Sequence, residues 1–319
     1  MKLLLTGASG FIGRNLLGRL AGYDLHLISR TKLEYFNDFR NVSLFQYEID
    51  AETDYTSALT DRDVIIHCAA RAHIMNDELL DPLAEYLKVN TEGTINLARQ
   101  AFKAGVKRFV YISSVKVNGE STELNKPFKS NDIRSPEDFY GKSKSEAEEK
   151  LLELARETGL EVVIIRPTLV YGPGVKANFA SLLNLVSKGL PLPFGCIKNN
   201  KRSLVSVKNL VDLIVTCIEH PKAANQVFLV SDDHDVSTAS MVKHMSHALG
   251  KSSRLLPIPL WCYRLVGKLT GKSDVVNRLI GSLQVDISHT KDTLDWVPPQ
   301  TLEQGFKETA EAFIFSKNQ

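Results

Sequence analysis

A doubly wound parallel α/β sheet with a smaller C-terminal lobe is the fold predicted by this 319-residue sequence. Three observations predict it. Short β-branched runs alternate with helix-length stretches through the first half. A glycine cluster follows the first run directly, and the texture turns rich in proline and glycine after Pro167. Alternation of this kind implies parallel strands covered by helices on both faces.

Lys2–Thr6, Asp24–Ser29, Val42–Glu48, Val64–Cys68, Phe109–Ser113 and Val162–Arg166 read as strands, because apolar and β-branched residues dominate them. Phe11–Leu20, Pro82–Ala104 and Tyr140–Thr158 have helical spacing and length; Pro82 suits a first turn and Gly105 a stop. Tyr171–Gly174 and Gly189–Gly195 read as loops, and Ser203–His220 with Val227–Val230 as a strand, a helix and another strand. The expected division is residues 1–166 and residues 167–319, with segments near 203–232 returning to the main sheet.

Composition narrows the function classes. Apolar residues make up 43% and charged residues 24%, ordinary for a folded globular chain. Lysine and arginine number 39 against 37 acids, so bulk charge gives no support to a nucleic-acid or membrane-surface partner. The four cysteines (Cys68, Cys196, Cys217, Cys262) form no paired spacing, so neither a disulfide framework nor a metal site is expected. The start MKLLLTGASG lacks the long apolar run of a signal peptide. Leu255–Leu269 comes nearest to a membrane span but carries Arg264 and Lys268. A cytoplasmic location is the expectation.

The first strand runs into Thr6-Gly7-Ala8-Ser9-Gly10-Phe11-Ile12-Gly13 and then a helix. Glycines at 7, 10 and 13 permit a tight turn, close approach of backbone to a pyrophosphate, and close packing of helix on strand. The helix N-terminus adds free N–H groups and a positive dipole end. A dinucleotide is therefore expected here, against the alternative of a glycine-rich turn with no ligand. After the second strand stands Arg30-Thr31-Lys32, with no acid before Glu34. That favours NADP(H), with Arg30 on its 2′-phosphate, and leaves NAD(H) possible; otherwise Arg30 and Lys32 solvate a loop. Asp50 either accepts from an adenine amino group or caps a turn.

Tyr140 and Lys144 stand four residues apart at a helix start, on one face. An ammonium near a phenol favours the phenolate, so this pair can exchange a proton with a substrate hydroxyl or carbonyl. Ser113 and Ser114 close a buried-looking strand, where a parallel sheet exposes its binding crevice.

Joined in this order, the motifs resemble the extended short-chain dehydrogenase/reductase family, the NAD(P)-dependent nucleotide-sugar epimerases, dehydratases and reductases. They are TGASGFIG (6–13), HCAA (67–70), Val89-Asn90, ISSVKVNG (112–119), YGKSK (140–144), RPTLVYGPG (166–174) and RSLVSVKNLVD (202–212), spread over nearly the whole chain. The resemblance implies a Rossmann-type cofactor domain and a substrate lobe. It implies catalytic roles for Ser114, Tyr140 and Lys144, with Asn90 as a helper. It adds Ala69 and Pro167 to the cofactor contacts, beside Gly7, Gly10, Phe11, Ile12, Gly13, Arg30, Asp50, Tyr140 and Lys144. Arg202, Arg278 and Asn178 are implied for the diphosphate of a UDP-sugar, where paired guanidinium groups match the phosphate oxygens. No metal is implied.

Departures from the family pattern narrow the reaction. Asn118 replaces the usual tyrosine of the V-Y-G motif, with no evident catalytic consequence. Val115 and Lys116 stand where 4,6-dehydratases carry an Asp-Glu pair, which disfavours that reaction. The stretch 68–94 with SSVKVNGE (113–120) is similar to bacterial surface-polysaccharide (O-antigen) enzymes. These include reductases of UDP-linked 4-keto-6-deoxy-N-acetylhexosamines, and they sit close to proteins labelled UDP-glucose 4-epimerase. The expectation is such a 4-reductase; the alternatives are a UDP-hexose 4-epimerase with retained NAD and a non-catalytic dinucleotide sensor. A homodimer through Pro82–Ala104 and Tyr140–Thr158 is implied by the resemblance. Trp296 and Phe313 read as core packing.

Overall fold

The computed structural model describes residues 1–32, 41–71 and 81–317. Glu34 and residues 72–80 of the polysaccharide-enzyme likeness lie outside the described residues. The first part of the chain runs β1 (Lys2–Thr6), α1 (Phe11–Arg19), β2 (Asp24–Ser29), β3 (Val42–Gln46), α2 (Thr56–Leu59), β4 (Val64–His67), α3 (Pro82–Leu87), α4 (Thr94–Lys103), β5 (Arg108–Ile112), α5 (Phe139–Thr158) and β6 (Glu161–Pro167). The rest runs β7 (Leu169–Tyr171), α6 (Ala177–Ser187), β8 (Arg202–Ser206), α7 (Val207–Glu219), β9 (Gln226–Val230), β10 (Asp235–Val236), α8 (Thr238–Ala248), α9 (Leu260–Leu269), α10 (Ser273–Ile280), α11 (Ser288–Leu294) and α12 (Leu302–Lys317).

Seven strands form one parallel sheet in the order β3-β2-β1-β4-β5-β6-β9. The order reverses between β1 and β4, so a crevice opens beyond their C-terminal ends, beside Thr6 and His67. Continuous burial of β1, β4, β5 and β6 follows from helices on both faces. On one face α1 and α7 cover Leu3, Leu5, Ile66, Val110 and Val163. On the other, α2, α4 and α5 cover Leu4, Ile65, Phe109 and Ile164. The apolar stripe of α4 repeats at Thr94, Leu97, Ala98 and Ala101, the spacing that keeps one face buried.

A second sheet has the order β10-β8-β7, and a third cluster gathers around Tyr171, Phe179, Met245 and Phe306. Of residues 203–232, only α7 and β9 return to the main sheet; the strand at 202–206 pairs with β7 and β10 instead. Trp296 is buried and donates its indole N–H to Asp212 Oδ1 at 2.9 Å, while Phe313 packs at the edge of the third cluster. The expected helical stretch Pro82–Ala104 runs without interruption to Lys103 but widens into a π turn at Lys88–Gly93. Such turns recur where a helix must re-aim a functional side chain. This one carries Asn90.

Candidate active site

The glycine turn after β1 is built for close approach. Gly7 holds φ +73°, and a Cβ there would meet Ala69 N at 2.6 Å. A Cβ on Gly13 would lie 2.2 Å from Gly7 O, so α1 presses directly on the turn. Gly10 caps α1 with no side-chain hydrogen bond and no acid in the first turn, leaving the N–H groups around Phe11 and Ile12 for an anion. This cradle fits a dinucleotide pyrophosphate.

A hydrogen-bond chain ties the turn to the crevice. Thr94 Oγ1 donates to Asn90 O at 2.8 Å, so it accepts from His67 Nε2 at 2.9 Å. His67 Nδ1 then accepts from Thr6 Oγ1 at 2.7 Å, and Thr6 accepts from Ala69 N at 3.1 Å. Burial first, and then the Lys144 charge, push His67 down to about 3, which keeps it neutral as this chain requires. Ala69 thus contributes through shape, since its N–H is already engaged.

Asn90 is fully buried and wholly engaged. Its Oδ1 accepts from Arg71 N at 2.8 Å, and its Nδ2 donates to Arg71 O at 3.1 Å and to Ser143 Oγ at 2.9 Å. Ser143 in turn donates to the Tyr140 carbonyl at 2.9 Å. Asn90 therefore positions the first turn of α5.

On α5, Lys144 is 1% exposed and donates from Nζ to Ile112 O at 2.8 Å. Its ammonium lies 4.4 Å from the Tyr111 ring centroid and 6.0 Å from that of Tyr140. Burial lowers Lys144 to about 7, partly offset by Cys68 and Glu148, and burial pushes the Cys68 thiol up to about 12. Burial first, then Asp138 and Tyr86, hold the Tyr140 hydroxyl above the usual tyrosine value.

Ser113 and Ser114 differ sharply. Ser113 is buried and donates a hydrogen bond to Glu148 Oε1 at 2.5 Å. Ser114 is half-buried and caps the turn Val115–Val117 by accepting from Lys116 N at 3.2 Å, with its own proton left to donate. Asn118 has a structural use: its Oδ1 accepts from Arg166 Nη1 at 3.0 Å and its Nδ2 donates to Lys129 O at 3.1 Å.

A cleft of about 440 Å³ is lined by Glu120, Asp138, Arg202, Asn277, Arg278 and Gly281, among others. Arg202 donates to Arg278 O at 2.7 Å, and burial followed by the Arg278 charge lowers its ordinary value. Arg278 Nε is buried, makes no hydrogen bond among the described residues, and lies 3.7 Å from Glu120 Oε2. Asp138 caps α5 by accepting from Gly141 N at 2.7 Å, and Lys116 pairs with both Asp138 and Glu120. The sequence reading missed Asp138, Glu120 and Lys116. Two local signals existed: an aspartate directly before a helix, and a Lys/Glu pair at i, i+4.

The remaining expected contacts scatter. Arg30 is exposed at the end of β2, where its carbonyl accepts from Gln46 Nε2 at 3.2 Å. Asp50 caps a turn through Oδ1, which accepts from Glu52 N, Thr53 N and Thr53 Oγ1. Burial would raise that carboxyl, but these bonds outweigh it and hold it low. Pro167 ends β6 opposite Val230. Asn178 is exposed on the first turn of α6, one residue before buried Phe179, and does not line this cleft.

Fold and site together define a dinucleotide-dependent oxidoreductase-type enzyme working at the switch point of a parallel sheet. The chain belongs to the NAD dependent epimerase/dehydratase family, whose model matches residues 3–231. It is 59% identical over 317 residues to a UDP-glucose 4-epimerase of Vibrio cholerae, covering 99% of this chain and 97% of that one. It is 29% identical over 333 residues to an N-acetyl-α-D-glucosaminyl-diphospho-ditrans,octacis-undecaprenol 4-epimerase of Escherichia coli O157:H7, covering 99% and 96%. The UDP-glucuronic acid 4-epimerase of Bacillus cereus, solved in complex with NAD, superposes with a TM-score of 0.79 at 20% identity, covering 98% of this chain and 96% of that one. These relatives favour the 4-epimerase alternative over the expected 4-reductase, and the NAD of that complex gives no support to the NADP(H) preference.

Proposed function

We propose that this chain is a UDP-hexose 4-epimerase acting on the glucose or N-acetylglucosamine configuration with retained NAD. One observation carries the reading: Arg202 and Arg278 meet at a cleft whose other wall includes Asp138, the cap of the helix bearing Tyr140 and Lys144. Two guanidinium groups there suit the diphosphate of a nucleotide sugar and set its sugar toward the catalytic helix. The Vibrio cholerae relative supports epimerisation over net reduction.

The cradle of Gly7, Gly10 and Gly13, with the α1 N-terminus, would hold the pyrophosphate. NAD, if bound there, would supply the acceptor for the C4 hydride and the donor of its return to the opposite face of the keto sugar, and its positive ring would favour the Tyr140 phenolate. Tyr140 accepts the C4 hydroxyl proton and later gives it back to the keto oxygen. Ser114 donates a hydrogen bond to that oxygen throughout. Lys144, protonated, holds negative charge on Tyr140 once the phenol has lost its proton. Asn90 keeps the first turn of α5 in register for both. The division into a cofactor domain and a substrate lobe, a homodimer, and a cytoplasmic role in surface-polysaccharide synthesis belong to this reading.

The test is incubation of the pure protein with UDP-glucose or UDP-N-acetylglucosamine and no added cofactor. The expected result is the 4-epimer with no net change in nicotinamide absorbance. Inertness toward both sugars, with stoichiometric NADPH consumption on a UDP-linked 4-keto sugar, would return the protein to the reductase class.

A further inference from the structure

Charge near balance over the whole chain conceals a strongly basic stretch. Residues 251–272 contain Lys251, Arg254, Arg264, Lys268 and Lys272 and no acid, in a chain of net charge +2. Helix α9 lies within this stretch. Trp261, Leu265 and Leu269 fall at i, i+4 and i+8, so they form one stripe along the helix, and they are 65%, 49% and 76% exposed. Arg264 and Lys268, also exposed and four apart, form the adjacent stripe. The opposite side is held by Gly267, which is buried so tightly that a Cβ would meet Val276 of α10 at 2.8 Å. The helix is thus seated by its small residue and turns its largest apolar side chains outward, with Leu256 and Val275 exposed nearby.

We propose that α9 and its flanks dock this enzyme on an anionic bilayer surface, lying in the headgroup plane. Three features select this occupant. An exposed tryptophan–leucine stripe beside a lysine–arginine stripe is the chemistry of an interfacial helix. Arg264 and Lys268 beside that stripe, in a stretch of five cations without an acid, match an anionic leaflet, and each basic side chain near such a surface adds to binding. A second copy of the chain would bring the same five cations against themselves in a two-fold contact, which opposes self-association. A nucleic acid would satisfy the charge but offers no apolar phase for Trp261, Leu265 and Leu269. No helix among the described residues is long and apolar enough to cross a membrane, so the contact is peripheral.

The test is flotation of the full chain with phosphatidylcholine vesicles containing about 30 mol% phosphatidylglycerol, against pure phosphatidylcholine. Trp261 is its own reporter, because the other tryptophan, Trp296, is buried. The expected result is flotation with the anionic vesicles only, weakened by salt, with a blue shift of fluorescence that Trp261→Phe removes. Arg264→Glu with Lys268→Glu should lower partitioning by roughly ten-fold or more. Leu265→Ser should lower it as well, while circular dichroism and turnover of UDP-sugar stay unchanged. Absence of flotation at low salt, or equal flotation with both vesicle types, overturns the proposal. So does a concentration-dependent dimer that Leu265→Ser dissolves while vesicles have no effect, which would assign the face to a second copy. Flotation, fluorescence and circular dichroism are independent of which reaction the enzyme performs.

Discussion

Glu148, with no solvent exposure, receives the guanidinium of Arg166 at 2.6 Å from Nη2 and 2.9 Å from Nε. The pair joins α5 to β6, and Ser113 adds its hydroxyl to the same carboxylate. Removing one partner strands the other charge in the core. Glu148→Ala should therefore cost about 3–5 kcal/mol of stability, read by denaturant unfolding. Glu148→Gln keeps acceptors for Arg166 and should cost less. Equal, small losses for both would mean that the pair contributes little.

Tyr140→Phe should lower kcat roughly a hundred-fold or more while the dissociation constant for NAD hardly moves. The ring seat is unchanged, since Tyr140 packs edge-on against Tyr86 at 6.3 Å without using its hydroxyl. Stopped-flow turnover and a cofactor titration separate the two quantities. Activity retained within ten-fold would remove Tyr140 from proton transfer.

Lys144 gives a pH dependence of unusual sign. Its folded value, about 7, lies below the ordinary lysine value of 10.5. Between these two the unfolded chain binds more protons, so the lysine makes the protein more stable as pH rises through this window. Lys144→Met abolishes that titration. The variant should be most stabilised relative to the parent near pH 6, and the advantage should shrink by pH 9. Melting curves of both ligand-free proteins across that range decide it; a constant difference would mean that Lys144 titrates normally.

Arg202→Ala should raise KM for the UDP-sugar by roughly ten- to a hundred-fold, the loss of one charge-assisted phosphate contact, with cofactor affinity unaffected. Arg202→Lys keeps the charge but not the two-nitrogen geometry, and should recover only part. Because Arg202 also donates to Arg278 O and Gly281 O, a melting curve accompanies each variant. A neutral KM in a folded variant would return Arg202 to bracing α10.

Much of this protein was determined locally. The strands of the first half, the glycine turn, and Tyr140 with Lys144 on one helix all follow from neighbouring residues, because period, turn chemistry and helix geometry act over a few positions. Charge balance was legible too, but only as an average, and an average hides a basic face. What the tertiary structure decided are relations between distant residues. Ser113 differs from Ser114 because Glu148, 35 residues away, takes the first hydroxyl. Asn90 reaches Ser143 across 53 residues through a π turn that no local spacing announces. Lys144 loses proton affinity because the fold buries it, and burial likewise raises Tyr140 above the usual tyrosine value. Burial and long-range pairing set those values, and both exist only once the chain has packed.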